Sequence, residues 1–335
     1  MINEISIIIV TYNHEKFIVD CLSSLLNEDF LEIIVVDSKS TDNTVNLIES
    51  NFPAVKIIKN VSNRGYGAAN NVAAHNSKGK YLIFLNPDTK VEKSAISKLI
   101  RPIEKDNLLI TTPKILLYNG EKINTCGNKQ HFTGMSFTRG TGEKPAERQN
   151  YRYVNGISGA CFAIARENFF KLGCFDENIF LYMEDSELSW RIFANGLKIL
   201  YVPEAIIMHD YNFRVNPEKI YHVERGRYII LRKYMSYKDY VFLSPSLLIT
   251  EILTMGYAIL NGFSGIKNKL KGMHEGLNVD VHKLNTDSKD LLKNMDIMLP
   301  KINFKYRMIF LILRKISNFI YCSNQKLMSL CMKSN

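Results

Sequence analysis

Through the first hundred residues, short apolar runs alternate with amphipathic stretches. "ISIIIV" (5–10), "EIIVVD" (32–37), "VKIIK" (55–59) and "KYLIFLN" (80–86) are almost continuously apolar and bounded by polar residues. That is the pattern of strands buried on both faces. Between them, 15–27, 42–51, 66–77 and 92–104 carry helical spacing. The β-α-β-α-β-α-β order predicts an α/β domain with a mostly parallel sheet and helices on both faces. Thr11, Asp37 and Asp88 end their strands. They then gather at the carboxyl edge of the sheet, where open α/β sheets bind ligands.

The pattern changes after about residue 112. Residues 117–155 are rich in Gly, Asn, Thr and charge, and read as a long loop or irregular hairpin. Such a loop inside a compact domain is more often functional than idle. Regularity returns with "ACFAIA" (160–165), a short helix near 166–172, and a helix from Asp185 that Asn195-Gly196 ends. "LKILYV" and "AIIMH" predict two further strands. Beyond residue 235, the charge-free stretches 240–250 and 252–266 fall short of the ~18 apolar residues of a spanning helix, and Pro245 interrupts the first. Lys267, Lys269 and Lys271 follow, and "KYRMIFLILRKISNFIY" (305–321) again sets apolar residues beside cations. Two readings stand: helices lying on an anionic membrane surface, or a helical hairpin packed on the preceding domain with solvated lysines. The expected division is 1–235 and 236–335.

Charge sharpens that division. The net charge is +10, but residues 1–211 carry 23 Lys and Arg against 24 Asp and Glu, and residues 212–335 carry 20 against 9. The basic character belongs to the C-terminal third, which points to an anionic partner. No RNA- or DNA-binding motif accompanies it, so phospholipid is expected and nucleic acid is not. With 335 residues, 46% of them hydrophobic, the chain can bury a large core. The six cysteines form no C-x-x-C pair and read as free thiols of a reducing compartment. "MINEISIIIVTYNH" holds acidic Glu4 and only a short apolar run, a poor signal peptide. A cytoplasmic location is expected.

Several stretches bear chemistry, each with a plain structural alternative. "NRGYGAANNVAA" (63–74) resembles a dinucleotide fingerprint, but Asn70 stands at the third small-residue position and the stretch follows the third strand. What remains is a Gly-rich helix start able to approach a nucleotide, or a helix start with no ligand. In "VVDSKSTDNT" (35–44) the Ser, Thr and Asp residues suit an N-cap, and Asp37 has no capping role in sight. In "FLYMEDSELSWR" (180–191), Glu184, Asp185 and Glu187 occupy a first helical turn. The helix dipole explains acids there; a carboxylate against an apolar rim also suits a general base. His209 ends the apolar strand of "PEAIIMHDY" and gains meaning only beside a metal-binding carboxylate. "FLNPDTKVE" (84–92) offers one: Asn86-Pro87-Asp88 stands where an Asp-x-Asp pair is expected.

Taken together, "SIIIVTYNH", "VVDSKSTDNT", "NRGYGAANN", "FLNPDT", "ISGACFAIARE", "GCFDENIFLYMEDSELSWR" and "PEAIIMHD" resemble, in order and spacing, the family 2 glycosyltransferases, nearest their rhamnosyltransferase-like branch. The resemblance covers roughly residues 4–235. It implies a GT-A fold and inverting transfer of one sugar from a nucleoside-diphosphate sugar (dTDP-rhamnose or a UDP-sugar) to a hydroxyl of a cell-surface glycan or lipid-linked acceptor, with Mg2+ or Mn2+. By position, it implies that Thr11, Tyr12 and Asp37 border the base and ribose, and that Arg64, Gly65 and Asn71 help enclose the nucleotide. Asn86 and Asp88 form the Asp-x-Asp-like turn, Asp88 and His209 the metal site, and Gly159-Ala160 lies against sugar or acceptor. Asp185 matches the base, and Glu184 positions base or acceptor. Tyr118, His131, Phe132 and Arg139 are expected on the acceptor side, from loop length. The Arg/Gln-x-x-Arg-Trp motif of processive synthases is absent, which favours adding one sugar or a few. Two rivals are a nucleotidyltransferase acting on a sugar phosphate, disfavoured by the Gly-free "TYNHEKF" after the first strand, and a non-catalytic scaffold descended from the enzyme. The expected location is the cytoplasmic face of the cell membrane, through peripheral contact of the C-terminal region.

Overall fold

The computed structural model describes residues 4–26, 28, 30–211, 216–283, 288–300 and 307–331. The chain divides into two compact units, Met1–Asn128 with Thr138–Phe213, and Lys129–Phe137 with Arg214–Asn335.

In the first unit the alternation of strand and helix appears in the predicted order: β1 (Ile5–Thr11), α1 (Ile18–Leu25), β2 (Glu32–Asp37), α2 (Thr44–Asn51), β3 (Lys56–Lys59), α3 (Tyr66–His75) and β4 (Tyr81–Leu85). Next come β5 (Thr89–Val91), α4 (Ala95–Lys105), β6 (Leu109–Leu117), β7 (Ile123–Thr125) and, past the small hairpin of β8 (Asn128–Gln130) and β9 (Ser136–Thr138) that lies mostly in the second unit, β10 (Arg152–Val154). The last elements are β11 (Cys161–Ala165), α5 (Arg166–Lys171), α6 (Glu184–Ala194) and β12 (Lys198–His209). The main sheet is mixed, with order β10-β12-β6-β11-β4-β1-β2-β3; β5 joins β12 and β7 joins β6. Strands β4, β1, β2 and β3 run parallel, as do β6 and β12, while β11 enters antiparallel between β4 and β6.

Side chains of successive strand residues serve opposite faces. Ile5, Ile7 and Ile9 join α1, α2 and α4 in one core; Ile8 and Val10 join α3, α5 and α6 in the other. That is why the strand sequences show no polar face. The second core is aromatic, with Phe84, Phe162, Phe169 and Phe175 in mutual ring contact.

Two predicted features change. The two strands expected within 197–209 are one, β12, which follows β6 in parallel with a register shift between Val202 and Ile206. Pro203 falls in that irregular stretch, where a residue with no N–H to donate is tolerated. The expected loop over 117–155 contains the short strands β7 to β10 and a 3-10 turn at Pro145–Glu147.

The second unit is helical: α7 (Pro217–Tyr234), α8 (Tyr237–Leu260), α9 (Gly262–Asn278), α10 (Ser288–Lys293) and α11 (Arg307–Cys331). The Asn216 side chain caps α7 at the Lys219 N–H, with Pro217 in the first turn. Ser236 and Asp239 form a reciprocal capping box on α8. Helices α7 and α9 approach closely because Gly272 and Gly276 face α7. A Cβ on either would stand 2.5 Å from the Tyr221 carbonyl oxygen or 2.7 Å from that of Arg225. This fit takes α7 into the helical unit, so the division precedes α7 and does not fall at 235/236.

Charge in this unit is partly internal. Arg227 Nη2 donates to Glu224 (2.9 Å) and to Glu251. Lys269 Nζ donates to Glu224 (2.8 Å), Glu251 (3.1 Å) and Thr254 (2.7 Å). Lys269 was expected as a surface cation and is 1% exposed; its sequence neighbours Lys267 and Lys271 are exposed. Helix α8 runs through Pro245 as one helix. Among the described residues it is the one helix long and apolar enough to cross a membrane by length and composition. Its Val241, Leu248, Ile252 and Ile259 fall seven, four and seven residues apart on one face, and all are exposed. Lys305 and Tyr306 of the 305–321 run lie outside the described residues. The five cysteines whose side chains are described are free thiols.

Candidate active site

The carboxyl edge of the sheet begins with two loops zipped together. Thr11 and Asp37 are register partners, and the Ser38 N–H donates to the Thr11 carbonyl (2.8 Å). Asn13, in left-handed conformation, accepts from the Thr41 N–H (2.8 Å) and gives its own N–H to Ser40 (2.9 Å). The His14 N–H donates to Thr44 Oγ1 (2.8 Å). Tyr12 stands out, half exposed, from this zipper. Asp37 caps no helix but holds the turn after β2: its carboxylate accepts the Ser40 N–H (2.9 Å) and hydroxyl (2.5 Å), and it is buried. A carboxylate accepts about four hydrogen bonds, so capacity for a ligand remains.

The Gly-rich helix start serves a different neighbour than expected. Gly65 has φ +95°, and a Cβ there would lie 2.3 Å from the Phe180 carbonyl oxygen. The Tyr66 N–H donates to that same oxygen (2.9 Å). Arg64 is exposed and pairs with Glu177 (2.7 Å). Asn71 is buried and spends its amide on Phe175 N–H (2.9 Å), Phe175 carbonyl (3.0 Å) and Glu177 (3.2 Å). The close approach thus belongs to the 175–180 segment, which leads directly into the acidic pair.

That segment ends in two consecutive left-handed residues, Tyr182 (φ 58°) and Met183 (φ 67°), after which α6 starts at Glu184. Non-glycine residues adopt this conformation at a cost of order 1–3 kcal/mol, and such strain concentrates at functional sites. Asp185 Oδ2 accepts from the Gly159 N–H (2.9 Å) and the Asn128 amide (3.1 Å), while Oδ1 has a long contact with the Ser186 hydroxyl (3.4 Å). Glu184 is buried, and its Oε2 meets no hydrogen-bond donor. Burial, then the charge of Asp185, pushes the Glu184 carboxyl up to about 8. Burial also raises Asp185, against the pull of the Gly159 N–H and of Ser186. The pair therefore shares one proton near neutrality. Glu184 Oε2 meets no donor whereas Asp185 accepts from Gly159 and Asn128, so the hydrogen bonds favour Asp185 as the ionised partner. Glu187, the third acid, is buried in an ion pair with Arg191.

At the other end of the site, Asn86-Pro87-Asp88 forms a turn closed by the Thr89 hydroxyl on the Asn86 carbonyl (2.6 Å). His209 is brought beside it by β12 pairing with β5, where His209 is the partner of Thr89. His209 Nε2 lies 3.3 Å from Asp88 Oδ1, and Nδ1 faces Asn124 Oδ1 at 3.1 Å. With a cation between Nε2 and Asp88, a protonated Nδ1 donating to Asn124 would leave the Nε2 lone pair to the cation; without one, Nε2 can carry a proton toward Asp88. Burial would push the Asp88 carboxyl up, but the hydrogen bond and charge of His209, with the charge of His14, hold it below the usual carboxylate range. Asp88 Oδ1 has no hydrogen-bond donor of its own. An ionised oxygen and an imidazole nitrogen facing one point suit Mn2+ or Mg2+. Among the described residues no group of three His, Cys, Asp or Glu side chains converges, so water and ligand oxygens would complete a metal's shell.

Gly159-Ala160 ties the two ends together. Gly159 donates to Asp185, and the Ala160 carbonyl accepts the Asn86 N–H (2.9 Å). The Tyr66 hydroxyl donates to the Gly159 carbonyl (2.8 Å). Asn128, Asn124 and Tyr66 were missed from sequence: they act on partners 57, 85 and 93 residues away, with no local pattern to mark them. Three residues expected on the acceptor side are packing residues. His131 is buried between Thr133 and the Ile297 carbonyl, and desolvation lowers its imidazole to about 3, so it stays neutral. Phe132 is buried, and Arg139 is buried against the Cys126 carbonyl and the Tyr201 ring. Tyr118 alone of the four is exposed, its hydroxyl on Asp20.

Known proteins resemble this chain in sequence and in fold. Residues 6–173 match the family model of glycosyl transferase family 2. The low-salt glycan biosynthesis hexosyltransferase Agl10 of Haloferax volcanii is 27% identical over 206 residues, 59% of this chain and 64% of that protein. The N-acetylglucosaminyl-diphospho-decaprenol L-rhamnosyltransferase of Mycobacterium tuberculosis is 25% identical over 237 residues, 62% of this chain and 76% of that protein. The chain thus spans less than two thirds of the haloarchaeal relative. The crystal structure of GalNAc-T7 with UDP, GalNAc and Mn2+ superposes with a TM-score of 0.58 at 20% identity, over 81% of this chain and 56% of that one. The first unit has the GT-A fold. With half its length matched by the family model, the chain belongs to glycosyl transferase family 2.

Proposed function

We propose that this protein transfers a single sugar, with inversion, from a nucleoside-diphosphate sugar to a hydroxyl of a glycan or lipid-linked acceptor. The donor reading, dTDP-rhamnose or a UDP-sugar, draws on the rhamnosyltransferase relative and the UDP-bound neighbour. The observation that carries the proposal is Asp185, a half-buried carboxyl in the first turn of α6 that accepts from Gly159 and Asn128 beside the buried Glu184. The acceptor oxygen attacks the anomeric carbon as its proton passes to Asp185 Oδ1, and the bond to the nucleoside diphosphate breaks. Oδ2 keeps its two hydrogen bonds throughout, so the base does not turn. Glu184 in its acid form adds no repulsion and can donate to the acceptor. Asp88 and His209 would hold Mg2+ or Mn2+, which supplies neutralisation of charge on the departing diphosphate. Tyr12, Thr11 and Asp37 border the base and ribose in this reading. Arg64 and Gly65 act through the 175–180 segment.

Asp185→Asn is expected to lower transfer about 10²–10⁴-fold, the range of a lost general base, with donor affinity unchanged by calorimetry. Near-normal transfer would remove Asp185 from the mechanism. Asp88→Ala is expected to abolish the Mn2+-dependent part of donor binding; a titration identical to wild type would refute the metal role.

The helical unit, in the same reading, holds the enzyme on the cytoplasmic face of the cell membrane. Exposed Val241, Leu248, Ile252, Ile259 and Phe263 give it apolar surface, and the excess of cations lies in the same third of the sequence. Glu251 of α8 is tied to Arg227 and Lys269 within the unit, which favours lying on the surface over crossing it. Ile259→Glu with Phe263→Glu is expected to abolish co-sedimentation with phosphatidylglycerol vesicles. Unchanged co-sedimentation would rule this face out.

A further inference from the structure

The helical unit contains a cavity of about 420 Å3, within the ~300–1,000 Å3 of small-molecule sites. Its walls are mainly apolar, with Val223, Leu253, Tyr257, Leu299 and Leu311 among them, and all belong to this one unit. Two arginines, Arg227 and Arg314, are set into these walls. Arg227 is 1% exposed; Glu224 and Glu251 occupy its Nη2, and the Tyr228 ring lies 4.7 Å from its guanidinium carbon. A ring over the face does not serve donors in the plane. Arg227 Nε and Nη1 accordingly have no acceptor, and neither has Nε of Arg314.

Buried N–H groups are almost always paired, so three orphan donors on one apolar cavity call for an explanation. Counter-charge is not what Arg227 lacks: Arg227 and Lys269 balance Glu224 and Glu251. It lacks acceptor oxygens, and Arg314 brings one further positive charge to the wall. Water would satisfy the donors and not the walls; a hydrocarbon would satisfy the walls and not the donors.

We propose that this cavity binds an anionic amphiphile, a hydrocarbon chain among the apolar walls with a phosphate or carboxylate head on Arg227 and Arg314. The guanidinium fork matches the oxygen spacing of either head. The site stands apart from the transfer reaction and does not rest on it. Its occupant comes either from solution, as a free amphiphile, or from a bilayer, as one chain and head of a phospholipid.

The test titrates the full chain calorimetrically with dodecyl phosphate below its micelle concentration, with dodecanol and inorganic phosphate as half-ligands. Dodecyl phosphate is expected to bind at one saturable site, dodecanol at least about tenfold more weakly, and phosphate not measurably. Leu253→Trp fills the cavity and Arg314→Gln removes a wall donor; each is expected to weaken binding about tenfold or more, with circular dichroism confirming the fold. Arg227 itself is left intact, because its loss would strand buried Glu224 and half-buried Glu251. Equal affinity for dodecanol and dodecyl phosphate overturns the proposal, as does measurable binding of phosphate alone at the same affinity. Co-sedimentation with phosphatidylglycerol vesicles separates the sources. Loss by Leu253→Trp in both assays assigns a bilayer lipid, and loss in solution alone assigns a free amphiphile. Retention in both by Leu253→Trp and Arg314→Gln overturns it.

Discussion

The two units bury acids in opposite ways. In the helical unit, Glu224 and Glu251 meet Arg227 and Lys269, charge against charge. At the sheet edge, buried Glu184 and half-buried Asp185 lie side by side, served by amides and a hydroxyl and raised by desolvation. A paired network fixes helices to one another. An acid pair without counter-charge holds a carboxylate whose proton affinity is raised, which is useful to a base and unfavourable to the fold. The difference separates structural charge from reactive charge within one chain.

Substitution breaks the comparison most forcefully at Asp185. Its Asn variant, impaired in transfer, is expected to unfold at a higher temperature than wild type, because a half-buried charge beside a second acid and without counter-charge is removed. A lower midpoint would show that Asp185 is structural. Lys269→Met is the converse: it strands one buried carboxylate and is expected to destabilise the helical unit by about 3–5 kcal/mol. Urea unfolding followed by hydrogen exchange in α7 and α9 reads this, and a loss within 1 kcal/mol would mean the network behaves as a surface pair. The smallest effect concerns Glu184. With its carboxyl raised to about 8 from an ordinary 4.5, the folded state holds a proton that the unfolded chain releases. That contribution is complete below about pH 4.5 and is lost as pH rises through about 8. Glu184→Gln is expected to flatten this decline, leaving the variant the more stable by a few degrees at pH 9 and equal near pH 4. Parallel pH profiles of the two proteins would exclude a retained proton.

Much of the first unit could be read directly. Strands β1 to β4 and helices α1 to α4 lie within two or three residues of their expected places, since strands buried on both faces and helices with one apolar side carry strong periodicity. The break inside β12 was misread because Pro203 punctuates the sequence, while the sheet absorbs it as an irregularity. In the helical unit, the sequence suggested free lysines at 267, 269 and 271, and burial of Lys269 depended on Glu224 and Glu251 from two other helices.

The same boundary runs through the site. Local sequence determined that Thr11, Asp37 and Asp88 end strands, that Glu184 and Asp185 open a helix, and that His209 closes a strand, because each depends on neighbours in the chain. Only the tertiary structure decided that Asn71 is a latch, that Gly65 answers to Phe180, and that Asn128 and Asn124 serve Asp185 and His209. These depend on contacts between segments far apart in the chain. Hydrogen-bond partners and desolvation arise only when such segments pack, and those two quantities set which carboxyl keeps its proton.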